Sequence, residues 1–357
     1  MGNLDKFLNE ITCLDRSAFS ISIGLRASIF VMTPLIIGIA TGHKELLLAT
    51  MGAMFLINTE GPKGATLSVR ILLVACFTEA IAFGLGTLVG ITGFLAIPLV
   101  GIGVFTVLMV EGSPRLTQVG IFTAIIFAVG VGLPGGSTSV AVERLWLSLL
   151  GGLLALLGVM LHRFLMSRRT SSRIDSTFES SKIQQKHNPE YTHQRIPLLQ
   201  SEVLRHAIAV GAASAFGLTI GLVLGFPRDF WVVATIIAAV RPNIGSTISF
   251  TSMRVIGTVV GAVIAAAITL EISNLYLLGG LLFVFSIFMF ATRGVNPVLV
   301  QIFLVPFVII LLNIIYPGQW QLAEIRIVDV VIGGAIVVLT VYLLGIRTVM
   351  HNFWKNK

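Results

Sequence analysis

Apolar stretches of roughly 17 to 25 residues, parted by short polar breaks, recur along most of this chain, and that length matches helices crossing about 30 Å of hydrocarbon. In lipid every backbone N–H and C=O has to be satisfied within a helix or a closed barrel, and these stretches lack the alternation that barrel strands need. The fold class that remains is an all-α membrane protein. Composition agrees, because only 11% of the residues are charged, against about 25% in ordinary soluble domains.

Spans are predicted near 22–41, 46–57, 66–91, 94–110, 117–133 and 145–165, and again near 204–225, 229–241, 252–271, 274–291, 297–315 and 325–346. The stretches 46–57 and 229–241 are too short to cross comfortably and are expected to be broken or re-entrant. The implied organisation is about 12 transmembrane helices in two parallel six-helix repeats, 21–165 and 202–347. An N-terminal segment 1–20 precedes them, a polar linker 166–201 joins them, and a tail 348–357 follows.

Lys and Arg accumulate on the cytoplasmic side of membrane proteins. With the N-terminus inside, Lys44, Arg144, Arg228 and Arg326 fall outside and the other 20 of the 24 basic residues fall inside. This places both termini and the linker in the cytoplasm, in a cell membrane of inner or plasma type. The net charge of +8 then reads as topology and attraction to anionic lipid, and a nucleic-acid partner is not expected. Leu4, Phe7, Leu8, Ile11 and Leu14 recur at helical spacing, so residues 1–20 are expected to form an amphipathic surface helix. Cys13 and Cys76 offer no plausible disulfide pair.

The two sets of spans look like copies of each other. An offset of 179 to 185 residues pairs Arg26 with Arg205, Gly38 with Gly221, Gly42 with Gly225, Asn58 with Asn243 and Arg70 with Arg254, and later Arg144 with Arg326 and Gly151-Gly152 with Gly333-Gly334. Each copy has an even number of crossings, so both enter from the same side, and repeats of that kind commonly enclose a pathway.

Residues 235–261 carry a Pro-x-x-Gly-x-Thr pattern followed by an Arg and a Gly-Thr-x-x-Gly: Pro242, Gly245, Ser246, Thr247, Arg254, Gly257, Thr258 and Gly261. This resembles the signature of the fusaric acid resistance and aromatic acid exporter superfamily, to which plant malate-type anion channels are related. The first copy holds a degenerate version, with Asn58, Gly61, Pro62, Gly64, Thr66 and Arg70. The resemblance implies an inner-membrane protein that moves organic anions, typically aromatic carboxylates, outward. It departs from larger members in lacking a sizeable cytoplasmic domain.

Several residues are candidates for such a substrate. The segments 58–66 and 241–247 precede long helices, where backbone N–H groups and the positive helix end favour an anion; Asn58, Thr66, Arg241, Asn243 and Thr247 lie there. A bare turn between helices is the competing reading. Arg70 and Arg254, several residues into their helices, are the leading contacts, with snorkelling to the interface as the alternative. Glu79, about 13.5 Å deeper than Arg70 by helical rise, is the candidate for proton coupling. Asp329, three residues after Arg326, reads as a helix-end ion pair. Gly84, Gly86, Gly151, Gly152, Gly257, Gly261, Gly333 and Gly334 are expected at close helix contacts.

Enzymatic chemistry finds no footing. Gly130, Gly132 and Gly135 end an apolar span instead of joining a strand to a helix, no P-loop occurs, and the six His have no metal-ligand spacing. No enzyme activity, cofactor or metal is expected. The expected partners are the lipid bilayer and a small organic anion, with association into a homo-oligomer left open. The leading reading is an organic-anion exporter; a passive anion channel and a non-transporting membrane scaffold are the alternatives.

Overall fold

The computed structural model describes residues 14–43, 45–60, 67–110, 117–171, 201–240, 244–316 and 321–355. Among them are twelve α-helices and no strand. The first six are α1 (Ile21–Thr41), α2 (Leu46–Thr59), α3 (Val69–Gly90), α4 (Ala96–Val110), α5 (Thr117–Gly132) and α6 (Thr138–Ser171). The second six are α7 (Ser201–Val223), α8 (Phe230–Ala239), α9 (Ile244–Glu271), α10 (Leu275–Ala291), α11 (Pro297–Ile315) and α12 (Leu322–Lys355).

Seven of these helices, α1, α3, α6, α7, α9, α11 and α12, are long and apolar enough to cross a membrane; α2, α4, α5, α8 and α10 are shorter apolar helices. Of the twelve expected spans, seven are thus long enough to cross, and three stretches beyond the two expected to be short are short as well. The two expected short helices are short, since the 14 residues of α2 and the 10 of α8 rise only about 21 and 15 Å. The long helices α6 and α9 begin earlier than their apolar runs suggested, taking in Arg144 in the first and Thr247 in the second. At the other end α6 continues to Ser171 and α12 to Lys355, so helix extends into parts of the expected linker and tail. The core of the expected N-terminal surface helix and most of the linker lie outside the described residues.

Local chemistry explains many of the ends. Ser20 and Ser68 accept hydrogen bonds from the Ile23 and Ile71 N–H groups and so cap α1 and α3, and Asn274 and Asn296 do the same for α10 and α11. Pro297 occupies the first position of α11, where its missing N–H costs nothing. Gly42 and Gly225, a pair in the offset comparison, both take left-handed φ values, 76° and 68°, just beyond α1 and α7.

Packing follows the same scheme in both halves. In the first, α2 packs on α1 and α6, and α3 on α5 and α6; in the second, α8 packs on α7 and α12, and α9 on α11 and α12. The halves meet along α4 with α7 and along α10 with α1, and α5 also contacts α8. Glycine permits these approaches, as expected: a Cβ at Gly151 would strike the carbonyl oxygen of Ala49, one at Gly86 that of Phe127, and one at Gly257 would sit 2.5 Å from that of Val298. Lipid cannot drive helix association as water does, so such close contact is where bundle stability originates.

Candidate functional site

A cavity of about 300 Å³ lies between the halves, walled by α2 and α5 from the first and by α8, α9, α11 and α12 from the second. Its lining follows α11 from Val300 to Leu312, a rise of about 18 Å. The two short helices form opposite walls: α2 presents Met54, Phe55 and Asn58, and α8 presents Phe230, Trp231 and Ala234. Between them Phe122 and Phe250 add further aromatic surface. The charged side chains in the lining are Arg254, Arg293 and Arg326, and no acidic side chain joins them among the described residues.

Each of the three arginines is held differently. Arg254 projects from α9 and is 8% exposed. Arg293 follows the end of α10 and donates to the carbonyl oxygens of Ile57, at 2.7 Å, and of Asn58. It thus caps the C-terminal end of α2, where unpaired carbonyls and the helix dipole favour a cation. Burial lowers its pKa to about 10, which leaves it cationic at neutral pH. Arg326, in the first turns of α12, lies over the Trp231 ring at 5.1 Å.

The far sides of these walls are polar. Glu60, at the end of α2, accepts from Arg26 at 2.9 Å and pairs with Arg163 at 3.7 Å, tying α2 to α1 and α6. Glu79 is buried and takes a 2.9 Å hydrogen bond from Thr59; it does not line the cavity. At the opposite end, Arg144 is buried and donates to Thr87 Oγ1 at 3.2 Å and to the Leu133 and Pro134 carbonyls at 3.4 and 2.6 Å, closing the end of α5. Tyr316, beyond α11, is the electrostatic neighbour of Arg144, and over that ring Arg228 lies at 5.3 Å. Of the four basic residues expected outside, Arg144, Arg228 and Arg326 are therefore buried inside the protein. Water and headgroups do not solvate them; carbonyls and aromatic faces do.

The expected contacts divide accordingly. Asn58 and Arg254 meet at the cavity, whereas Arg70 is exposed in the first turn of α3 and lies outside the lining. Of the two leading contacts, Arg254 therefore reaches the cavity and Arg70 does not. The first turn of a helix does not carry a long side chain far from the interface, and α2 and α5 stand between α3 and the second half. Thr247 is buried in the first turns of α9, and Gly245, expected in a turn, is already helical. Gly257 and Gly261 press against α11, with hypothetical Cβ contacts of 2.5 and 3.0 Å to the Val298 and Gln301 carbonyls, and Thr258 is buried on the same stretch of α9. Arg241, Pro242, Asn243 and Thr66 lie outside the described residues. Gln118 and Gln301, which line the cavity from α5 and α11, were not anticipated, although they lie 183 residues apart, within the offset range of the two copies. The aromatic lining was also missed, because in an apolar sequence Phe and Trp facing a cavity look the same as Phe and Trp facing lipid.

All three cavity arginines and the whole Arg254 to Gly261 stretch fall within one segment of known type. Residues 213–340 match the fusaric acid resistance protein-like family. The fusaric acid resistance protein-like segment runs from within α7 to the middle of α12, so it supplies every charged group of the cavity. Inner membrane protein YccS of Escherichia coli (strain K12) is 28% identical over 137 residues, which cover 38% of this chain and 19% of that protein. The aligned region is thus a small part of that relative. No solved structure matches the chain.

Proposed function

We propose that the protein is an integral membrane transporter that exports organic anions such as aromatic carboxylates through the space between its two halves. The observation that carries this reading is the lining of the interhalf cavity, where three arginines and several aromatic rings border one space and no acidic side chain is among the described lining residues. An anion with an apolar ring suits both features: the guanidinium groups take its carboxylate by charge-assisted hydrogen bonds, and the rings cover its apolar body. A volume near 300 Å³ falls at the lower end of small-molecule sites, which run from about 300 to 1,000 Å³.

In this reading the chain comprises two parallel six-helix repeats in an inner membrane, with both termini and the linker cytoplasmic. The repeated packing of α1 to α6 and α7 to α12 supports the duplication, and the printed name of the E. coli relative supports the membrane. Arg254, Arg293 and Asn58 form the substrate contacts. Proton coupling is assigned to Glu79, whose carboxyl reaches the path only through Thr59 and the neighbouring Asn58. A membrane scaffold would have no use for a cavity reaching a buried Arg254.

The test is flux of radiolabelled benzoate from liposomes containing the purified protein. Benzoate efflux above that of empty liposomes, reduced by Arg254→Met and responsive to a pH gradient, is the expected result. Flux equal to that of empty liposomes refutes transport of this class of anion. Flux that ignores the gradient in both the wild type and Glu79→Gln refutes the coupled mechanism and leaves a passive channel.

A further inference from the structure

Arg326 lines the cavity and lies over Trp231, and its Nη1 has no hydrogen-bond partner among the described residues. One turn further along α12, Asp329 is completely buried, and neither of its carboxylate oxygens has a hydrogen-bond partner there either. Two opposite charges on one helix face, each interacting with the other electrostatically, have thus not closed into a bonded pair. Burying an ion without partners is costly, and a buried pair is tolerated only where its remaining hydrogen-bonding capacity is met. The arrangement therefore fits a carboxyl that alternates with something else for the same guanidinium.

We propose that Asp329 is the resident counter-ion of Arg326, holding the guanidinium while the cavity is empty and yielding it to an incoming carboxylate when Asp329 takes up a proton. Arg326 lies over the indole at the cavity without a hydrogen bond to Asp329. This inference rests on the anion path proposed above and gives its Arg326 end a control. The remaining charges around Asp329 are consistent with that role. Asp229, at the start of α8, adds a second negative charge beside it, and Arg228 precedes Asp229 and lies over Tyr316. Of the other helices packed on α12, α7 carries Arg205 and His206 in its first turns, and α9 carries Arg254 near its middle and Glu271 at its last residue. Three or more acidic, His or Cys groups suited to a metal ion do not gather among the described residues, and an adjoining guanidinium repels a cation, so a proton is the ligand that the pair accepts.

The sign of the coupling follows from reciprocity: if protonation of Asp329 tightens anion binding, anion binding tightens the proton by the same factor. Anion and proton occupy this end of the path together. The gate accordingly discharges its anion into a neutral or alkaline medium and retains it against an acidic one.

Trp231 supplies a local reporter, since replacing Trp146, Trp320 and Trp354 with Phe leaves it as the single indole among the four of the sequence. In that background the full-length protein is titrated between pH 5.5 and 9 with and without benzoate. We expect a one-proton transition in Trp231 emission that persists in Asp229→Asn and disappears in Asp329→Asn. Benzoate binding should tighten by up to about tenfold per pH unit on acidification through that transition, the limit for one coupled proton, and Asp329→Asn should bind tightly at every pH. A transition that survives Asp329→Asn, or that vanishes in Asp229→Asn, overturns the assignment, as does benzoate affinity that is independent of pH in the wild type. If Asp329→Asn does not fold, the absence of any one-proton transition in the wild-type background overturns it equally. Benzoate that binds no form at any pH is a separate failure, of the anion path itself.

Discussion

Replacing Arg254 with Met removes a charge from the cavity wall while keeping most of the side chain's length. The residue lies ten positions into α9, about 15 Å along the helix, and at 8% exposure it is shielded from the solvent that would weaken its attraction for an anion. A hydrogen bond to a charged partner contributes about 1.5–3 kcal/mol. Coulomb attraction between unit charges 4 Å apart at an effective dielectric constant of 20 sets a ceiling of about 4 kcal/mol. At 1.4 kcal/mol per factor of ten, the hydrogen-bond range corresponds to benzoate binding weakened roughly tenfold to 150-fold. Stability is the second quantity to follow, because Arg254 also interacts within the protein and removing one member of a buried charged contact is itself destabilising. Isothermal titration of benzoate into the purified protein measures the first quantity and thermal unfolding the second. Arg70→Met is the matched comparison: that side chain is exposed and off the cavity, so its affinity should stay within about twofold of wild type, as expected for a charge screened by solvent. Equal effects of the two substitutions, or a folded Arg254→Met protein with unaltered affinity, would refute the assignment of the path to this cavity.

Further outcomes follow from individual contacts. Arg293→Ala strips the cap from the end of α2 and leaves the Ile57 and Asn58 carbonyls unpaired, so the protein should lose about 1–3 kcal/mol per orphaned group, read as a drop in Tm. Gly257→Ala places a methyl group against the Val298 carbonyl and should cost about 1–3 kcal/mol, whereas Gly280→Ala, where a Cβ meets nothing within 4 Å, should leave Tm unchanged. Glu79→Gln preserves an acceptor for Thr59 while abolishing titration, so benzoate flux should continue but lose its response to a pH gradient. Burial raises the Asp229 pKa from 3.8 to about 6; the folded state then holds its proton more tightly than the unfolded state, and stability falls as pH rises from about 4 to 6. Asp229→Asn should therefore raise Tm relative to wild type above pH 6 and not at pH 4.

The membrane class was legible because hydrocarbon imposes a length on every helix and forbids unpaired backbone, and those demands are written in the runs of apolar residues themselves. The likeness of the two halves was legible in part for a related reason: Arg, Asn and Gly are rare or conformationally special in such runs, so pairs such as Gly42 with Gly225 and Arg144 with Arg326 stand out against apolar background. Their roles were not legible. Arg144 spends its hydrogen bonds on the end of α5, while Arg326, its counterpart, lies over Trp231 at the cavity. The same residue type at the same offset thus makes two different sets of contacts in two surroundings.

What the chain order alone determined is where helices run and which residues are unusual within them, since both depend on short-range chemistry that adjacent residues specify. Only the tertiary arrangement decided which arginines share an opening. Arg254, Arg293 and Arg326 come from three separate segments, and Arg70 is excluded because α2 and α5 intervene. Proximity among residues far apart in the chain depends on how glycine-lined helices nest, and that is a property of surfaces meeting in space.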